Sequence, residues 1–510
     1  HTGLKYADEP ALAILEVQNE DCIFFHAPLT GLNNPNDVPL HSALFRQRWA
    51  AWVKAKYPTD EVLREAWGAD GLRAGDSVDA EEMALFGAWE MNANGPPNIA
   101  QRARLGDFNR FLVEVQTEYW TRRRDEIRGA GFKGVVLSTG WKSGGKGGEV
   151  SNIYADSALE TIDRHGYWGG FGDRHIALIN FKNDTLMDLS SWYNAEDGSW
   201  RTPFYRGWHQ VDNLPYGMSE WAHGTPGQFR AEAGPIYAFY GLGLQGWDTS
   251  LHFAYGRHTS VSTSWDFLST YNIANPVQVT QYPALATAVH QGHIAQGAPA
   301  ATRRFTPDQV FSGVDVFTQP GPWAWDGADT LEVPPQIFAL GRISNAFGDD
   351  VGPSERSDWS EGWDRDNHTV TANTGELNWN YGERYFEVKA AKTQGVVGFA
   401  GGHSFDLPDV DITVTTPFVS LLVTALDNRP ISESGKVLVT AVAKEKWTGS
   451  EIEGIGDEAN LNALGGPPLM MEPVQATLTF GADFESVEAL DQHGRRTGKS
   501  LAKGDDGAYT

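Results

Sequence analysis

The stretch Pro10-Ala-Leu-Ala-Ile-Leu-Glu-Val-Gln-Asn-Glu20 decides how the first part of this chain is read. It is apolar through Ile14 and Val17 and ends in polar residues. A buried parallel strand reads this way when a site sits at its C-terminal end. Downstream, His41 to Lys56 reads as a helix, with Leu44, Phe45, Trp49, Trp52 and Val53 as its apolar face. Residues 69 to 98 are rich in Gly, Asn, Asp and Pro and read as an irregular insertion. A long amphipathic helix is predicted from Ile99 to Arg128. Phe108, Phe111, Leu112, Val115 and Tyr119 carry the 3- and 4-residue spacing, and Arg122, Arg123 and Arg124 favour the helix C-terminus. Gly129 and Gly131 stop it. The apolar run Gly134 to Trp141 is then the next strand, and a helix feeding such a strand is half of a βαβ unit.

The alternation continues. Ala158 to Ile162 leads into Asp163-Arg-His-Gly-Tyr-Trp168. Leu214 to Trp221 is a short strand with polar chemistry at its end. Pro226 to Gly241 is a helix, Leu242 to Asp248 a strand, and Pro276 to Gly297 a last helix. Polar and aromatic residues gather at strand C-termini, where a (β/α)₈ barrel builds its active site. The expected fold class is therefore α/β, a barrel of that kind occupying residues 1–300. Beyond it, short β-branched runs separated by Gly, Pro and Asp turns predict a β-sandwich. They are Val314 to Phe317, Tyr385 to Val388, Val410 to Thr416, Phe418 to Leu426, Lys436 to Ala443 and Val474 to Phe480. Residues 301–385 are expected to connect, with 345–380 as a surface link, and 386–510 to form the accessory sandwich. The tail from Gly498 reads as frayed.

Composition narrows the function. The 510 residues carry 40 basic and 66 acidic side chains, a formal charge of −26. That argues against nucleic acid or an anionic membrane as partner, because both need clustered Lys and Arg. No apolar run approaches the ~18 residues of a membrane span. Cys22 is the single cysteine, so an intramolecular disulfide and any multi-Cys metal site are excluded; it reads as a small buried hydrophobe. The 19 Trp suit either large cores or sugar binding, since an indole face stacks on a sugar ring. Gly241-Leu-Gly-Leu-Gln-Gly246 spells a dinucleotide fingerprint, but the strand and helix around it are in the wrong order. The His residues show no metal-ligand spacing.

Two glutamates stand out by position. Glu20 ends the first strand, after Asn19, and Glu220 ends a later one, before Trp221. Glycoside hydrolysis needs two carboxyl groups flanking the scissile bond, one to protonate the leaving oxygen and one to attack or to activate water.

At these residues the chain resembles a clan A glycoside hydrolase, the retaining (β/α)₈-barrel superfamily with a C-terminal β-sandwich. Asn19-Glu20 is similar to the pair ending that clan's fourth strand, and Glu220 to the Glu ending its seventh. His165-Gly166-Tyr167 resembles the His-x-Tyr of the sixth, and Trp247 the aromatic floor of the eighth; Trp141 ends the fifth. The resemblance implies that Glu20 is the acid/base, with a raised pKa, and Glu220 the nucleophile. It implies that Asn19 binds the sugar 2-hydroxyl, Tyr167 orients Glu220, His165 holds a hydroxyl or the acid, and Trp247 stacks on the sugar. Trp141, Trp168 and Trp221 are cleft candidates that equally suit a core. Glu16, on the same strand face as Glu20, reads as an interior barrel contact.

The implied partner is a carbohydrate, with no metal and no organic cofactor required. The resemblance also implies that barrel strands one to three lie outside this chain, in an N-terminal segment or separate chain that completes the barrel. Secretion or periplasmic location is the expectation by analogy with polysaccharide degraders. Two alternatives stay open: a non-catalytic carbohydrate-binding relative, and a polysaccharide lyase or transglycosylase using the same groove.

Overall fold

A computed structural model describes residues 3–87, 90, 100–141, 148–171, 181–189, 203–254, 275–313, 316, 330–456, 459–491, 493–505 and 507–509. In chain order the first part contains β1 (Ile14–Glu16), α1 (His26–Asn33), α2 (Pro39–Lys56), α3 (Asp60–Trp67), α4 (Ala100–Gly129), β2 (Val135–Leu137), α5 (Glu149–Asp156) and β3 (Ile162–Trp168). Then follow β4 (Tyr216–His223), β5 (Thr249–His252), α6 (Tyr282–His290), β6 (Pro299–Phe305), α7 (Pro335–Leu340) and β7 (Arg342–Phe347). A π-helical segment, Ile236–Leu244, separates β4 from β5.

Parallel pairing joins β1 to β2, and β3 to β4 to β5. The two ladders meet where His165 N–H donates to the Gly140 carbonyl at 2.9 Å. Five short parallel strands thus run side by side in sequence order, with helical segments between them. No ladder among the described residues closes a barrel, so the eight-stranded barrel is not shown; what stands in its place is a short parallel array.

Two glycines set its spacing. A β-carbon on Gly134 would strike the Ala13 carbonyl and the Phe132 ring, and one on Gly140 would strike the imidazole of His165. Only a residue without Cβ lets these backbones and side chains approach so closely. Helix α4 lays Leu105, Phe108, Phe111 and Leu112 into a core shared with Trp49, Val53, Leu63 and Trp67. Thr59 caps α3 by accepting from Val62 N–H.

Several expectations are corrected. Leu242 to Asp248 is not a strand: its first part belongs to the π-helical segment, and β5 begins only at Thr249. An apolar run with two glycines does not by itself distinguish a strand from a buried helical end. The region expected only to connect, 301–385, contributes most of a parallel strand–helix–strand unit, β6–α7–β7. The expected helix from Pro276 to Gly297 is two, Pro276–Val279 and α6. Of the expected run Val314 to Phe317, residues 314, 315 and 317 lie outside the described residues.

The second part carries β8 (Trp363–Asp364), β9 (Thr369–Thr371), β10 (Leu377–Asn380), β11 (Tyr385–Lys389), β12 (Thr393–Gly398), β13 (Ser404–Asp406), β14 (Val410–Val414), β15 (Val419–Ala425), β16 (Val437–Ala443) and β17 (Ala476–Phe480). A seven-stranded sheet has the order β8-β9-β10-β11-β12-β15-β16 and a three-stranded one β13-β14-β17. Pairing in both is antiparallel. Val396, Leu421 and Val423 from the large sheet pack with Phe405, Ile412 and Leu478 from the small one, the inner layer of a sandwich.

Residues 345–380 are therefore not a surface link but supply three strands of the larger sheet. The tail is also tied down: Tyr509 exchanges two 2.8 Å backbone hydrogen bonds with Leu478.

The opposite face of the seven-stranded sheet rests on the first part. Ser420 Oγ donates to Gln281, and His293 Nδ1 lies 2.8 Å from Thr393 Oγ1. One hydrophobic core runs from Val150 through Trp247 and Phe338 to Trp379 and Leu422. The expected boundaries near 300 and 385 fall inside β6 and at the start of β11. Among the described residues no helix is long and apolar enough to cross a membrane. Cys22 is buried, 3% exposed.

Candidate active site

The C-terminal ends of β1, β2, β3 and β4 converge, and the strand pleat decides what meets there. Alternate residues Asp163, His165 and Tyr167 of β3 share one face. His165 Nδ1 lies 2.7 Å from Glu20 Oε1 and 3.5 Å from Glu220 Oε2. Tyr167 donates its phenolic hydrogen to the same Glu220 oxygen at 2.5 Å. One carboxylate oxygen of Glu20, one ring nitrogen of His165 and one carboxylate oxygen of Glu220 all lie within 4.8 Å of one another. Glu20 sits just past β1 with φ of 46°. A β-carbon is crowded in that left-handed region, which costs about 1 kcal/mol, and such strain clusters at functional sites.

Below this pair lies a second layer of charge. Ser219 donates its backbone N–H to Asp163 Oδ1 at 2.9 Å and its hydroxyl to Asp163 Oδ2. The Ser219 hydroxyl oxygen lies 3.0 Å from His165 Nε2. Glu16 accepts the Gly140 N–H at 2.8 Å, an interior contact between β1 and the end of β2. Burial pushes the Glu16 and Asp163 carboxyls above their ordinary range. Burial alone would lower His165, but the hydrogen bond to Glu20 and the charges of Glu220 and Asp163 outweigh it and raise the imidazole.

Of the residues singled out by sequence, Glu20, His165, Tyr167 and Glu220 come together. Trp141 is half-buried beside them, its ring centroid 6.5 Å from His165 and 5.5 Å from Phe25. Asn19 is exposed next to Glu20. The other three indoles are core residues. Trp168 (5% exposed) stacks 6.0 Å from Tyr237, and Trp221 (3%) stacks between ring centroids at 3.7 Å (Tyr237) and 3.9 Å (His252). Trp247 precedes β5 and is wedged against Tyr216, Tyr237 and Phe338. Rings buried in this way offer no free face to a sugar: Trp168 and Trp221 take the core place that was one of their two readings, and Trp247 does not take the stacking place expected of it.

Sequence reasoning missed Asp163 and Ser219. Asp163 carried a signal, since it lies two residues before His165 on the same strand face; Ser219, next to Glu220, reaches the site through a shift in the register between β3 and β4 that the sequence does not announce. It also missed Phe253, half-buried just beyond β5, whose ring centroid is 6.3 Å from that of Tyr167. Two triplets have the donor spacing to hold a cation, Glu20–His165–Glu220 and Glu16–Asp163–His165. The hydrogen bonds above already engage each of these side chains with protein partners. Chemically, two carboxylates beside an imidazole and a phenol suit acid, base and nucleophile roles at one sub-nanometre site.

No family model matches the chain, and no curated protein matches its sequence. Two solved structures are similar to it in part. One is the polyextremophilic beta-galactosidase from the Antarctic haloarchaeon Halorubrum lacusprofundi, with 14% identity and a TM-score of 0.39 over 68% of this chain and 49% of that one. The other is an exo-beta-agarase, with 15% identity and a TM-score of 0.25 over 44% of this chain and 26% of that one. The chain spans about half the length of the first and about a quarter of the second. Likenesses this low decide neither fold nor activity, so what the chain does rests on the geometry of its own residues.

Proposed function

We propose that the chain carries the catalytic pair of a retaining glycoside hydrolase acting on a poly- or oligosaccharide. Glu20 is the general acid/base and Glu220 the nucleophile. The observation that carries this reading is the approach of the two carboxylates to within 4.8 Å. Retaining enzymes hold theirs about 5–5.5 Å apart, whereas inverting ones leave about 6.5–9.5 Å for a water.

In the first step Glu220 attacks the anomeric carbon while Glu20 gives its proton to the leaving oxygen. In the second, Glu20 takes a proton from water, which displaces Glu220 from the sugar. The Tyr167 hydroxyl, bonded to Glu220 Oε2, holds that carboxylate in line and disperses its charge. Among the described residues, half-buried Trp141 is the indole best placed to line the sugar site. By the same reading, the protein works outside the cytoplasm.

The test is reducing-sugar release from a panel of neutral and sulfated polysaccharides, with the product anomer followed by NMR. Release with retention is expected from the wild type, and a loss of about 10³-fold or more in kcat for Glu220→Ala. Inverted product, or an unsaturated sugar absorbing in the ultraviolet, would overturn the reading. Glycan binding without release would favour a non-catalytic relative.

A further inference from the structure

We propose that Ser219, anchored by Asp163, is a positioning residue that fixes a proton on His165 Nε2, so that Nδ1 exchanges a single proton with Glu20. This deepens the hydrolase reading and rests on it for its catalytic consequence, but not for its structural content.

The direction of each hydrogen bond follows from donor accounting. Asp163 receives both the backbone N–H and the hydroxyl hydrogen of Ser219. Having spent its hydrogen on Asp163, the Ser219 oxygen can only accept from the imidazole nitrogen 3.0 Å away. Nε2 therefore carries a hydrogen. The opposite nitrogen, Nδ1, faces Glu20 Oε1 at 2.7 Å. One proton lies between them, on Nδ1 with Glu20 ionised or on Glu20 with Nδ1 bare. When Glu20 gives that one proton to the leaving oxygen, an ionised Glu20 remains beside a neutral His165 that keeps its hydrogen on Nε2. When Glu20 takes a proton from water, the pair returns to its starting state. No other donor or acceptor is needed, and charge balances at each step.

The groups facing this pair are Glu16 and Glu20 from β1 and the residues after it, Asp163 and Tyr167 from β3, and Ser219 and Glu220 from β4. From the end of β2, Gly140 and Trp141 contribute no titratable group, and Arg206 stands over the Trp141 ring, its guanidinium carbon 5.7 Å from the ring centroid. Asp163 lies 4.0 Å from Nε2 and is 3% exposed, so its charge acts on the imidazole through little water. Ser219 and Asp163 act through His165 in this scheme, which makes both positioning residues.

Two readouts test this. The first needs no substrate: nitrogen NMR of protein labelled with ¹⁵N-histidine, the His165 signal identified by its loss in His165→Gln. The wild type is expected to show Nε2 protonated throughout the titration of Nδ1. Ser219→Ala is expected to mix the tautomers, and Ser219→Thr, which keeps the hydroxyl, to restore the wild-type pattern. A wild-type spectrum with Nε2 bare, or one unchanged by Ser219→Ala, would overturn the proposal.

The second readout is the pH profile of kcat/KM on whichever polysaccharide the wild type cleaves. Loss of a negative charge in Asp163→Asn lowers the affinity of the pair for its proton. The alkaline limb is expected to move down by roughly one pH unit, with kcat falling about tenfold and KM within about twofold. A uniform loss with no movement of that limb would overturn the role. If the wild type cleaves nothing, the hydrolase reading fails and the nitrogen spectrum still decides the tautomer.

Discussion

Strands β3 and β15 are alike in burial and opposite in chemistry. Both have seven residues, six buried in β3 and all seven in β15. The first reads Ile-Asp-Arg-His-Gly-Tyr-Trp, the second Val-Ser-Leu-Leu-Val-Thr-Ala. In β15 the ladder satisfies the backbone, and the two hydroxyl residues face Gln281 and Thr393. In β3 three consecutive ionisable side chains are buried, and each needs a partner of its own. Asp163 has Ser219, Arg164 has Asp156 at 3.0 Å and His209 at 2.7 Å, and His165 has Glu20. Burial pushes Asp156 up to about 6. Placing charge in the interior costs several kcal/mol per ion unless it is paired. Paired charge at a strand end is also how perturbed acids and bases are made. The sandwich holds the molecule together with apolar area; the parallel array holds a reactive arrangement together with hydrogen bonds.

Breaking the joint between the two regions is expected to have the largest effect on stability. Arg230 Nε lies 2.9 Å from Glu445 Oε1, both residues being 2% exposed. Arg230→Met strands the carboxylate and should destabilise by about 3–5 kcal/mol in guanidinium denaturation. Arg230→Met with Glu445→Met should recover most of that loss. Leu421→Ala, in the sandwich interior at 1% exposure, should cost about 2–5 kcal/mol. The same variant should leave the pH profile of activity unmoved, since no titratable group of the site touches it. A shifted profile would mean the two regions are not separable.

A subtler effect concerns Glu232, buried below the array, which accepts from Thr185 Oγ1 at 2.6 Å and Leu186 N–H at 2.8 Å. Burial raises it to about 8. The unfolded chain releases this proton first, so its contribution to stability is greatest below pH ~4.5 and is lost as pH rises toward 8. Glu232→Gln should flatten the fall in melting temperature across that window. The smallest effect belongs to the surface, where Arg48 and Glu118 pair at 47% and 58% exposure. Arg48→Ala should change stability by less than about 0.5 kcal/mol.

Much of this was legible in the chain itself. The predicted helix Ile99 to Arg128 is α4, which runs one residue further at its C-terminal end, Ile99 lying outside the described residues. The runs starting near Tyr385, Val410, Phe418, Lys436 and Val474 all contain strands of the sandwich. These elements announce themselves because a 3- or 4-residue spacing, or a β-branched run between turns, is a local signal. Strands β8 to β10 did not, because their Asp, Asn and Trp residues follow no alternation that a single strand enforces; pairing with β11 orders them. Trp247 misled because an apolar run ending in an indole suits a strand end and a helix–strand corner equally.

The sequence by itself determined the alternation of helix and short strand, the acidic charge, and the choice of two glutamates 200 residues apart; it placed both at strand ends, whereas Glu20 lies past β1 and Glu220 within β4. It could not determine which indoles face a ligand, because exposure is a property of neighbours and not of the residue. Nor could it show that Ser219 stands between Asp163 and His165. That contact joins β3 and β4 through their register, which shifts beside His165 and is set only when the two parallel backbones pair.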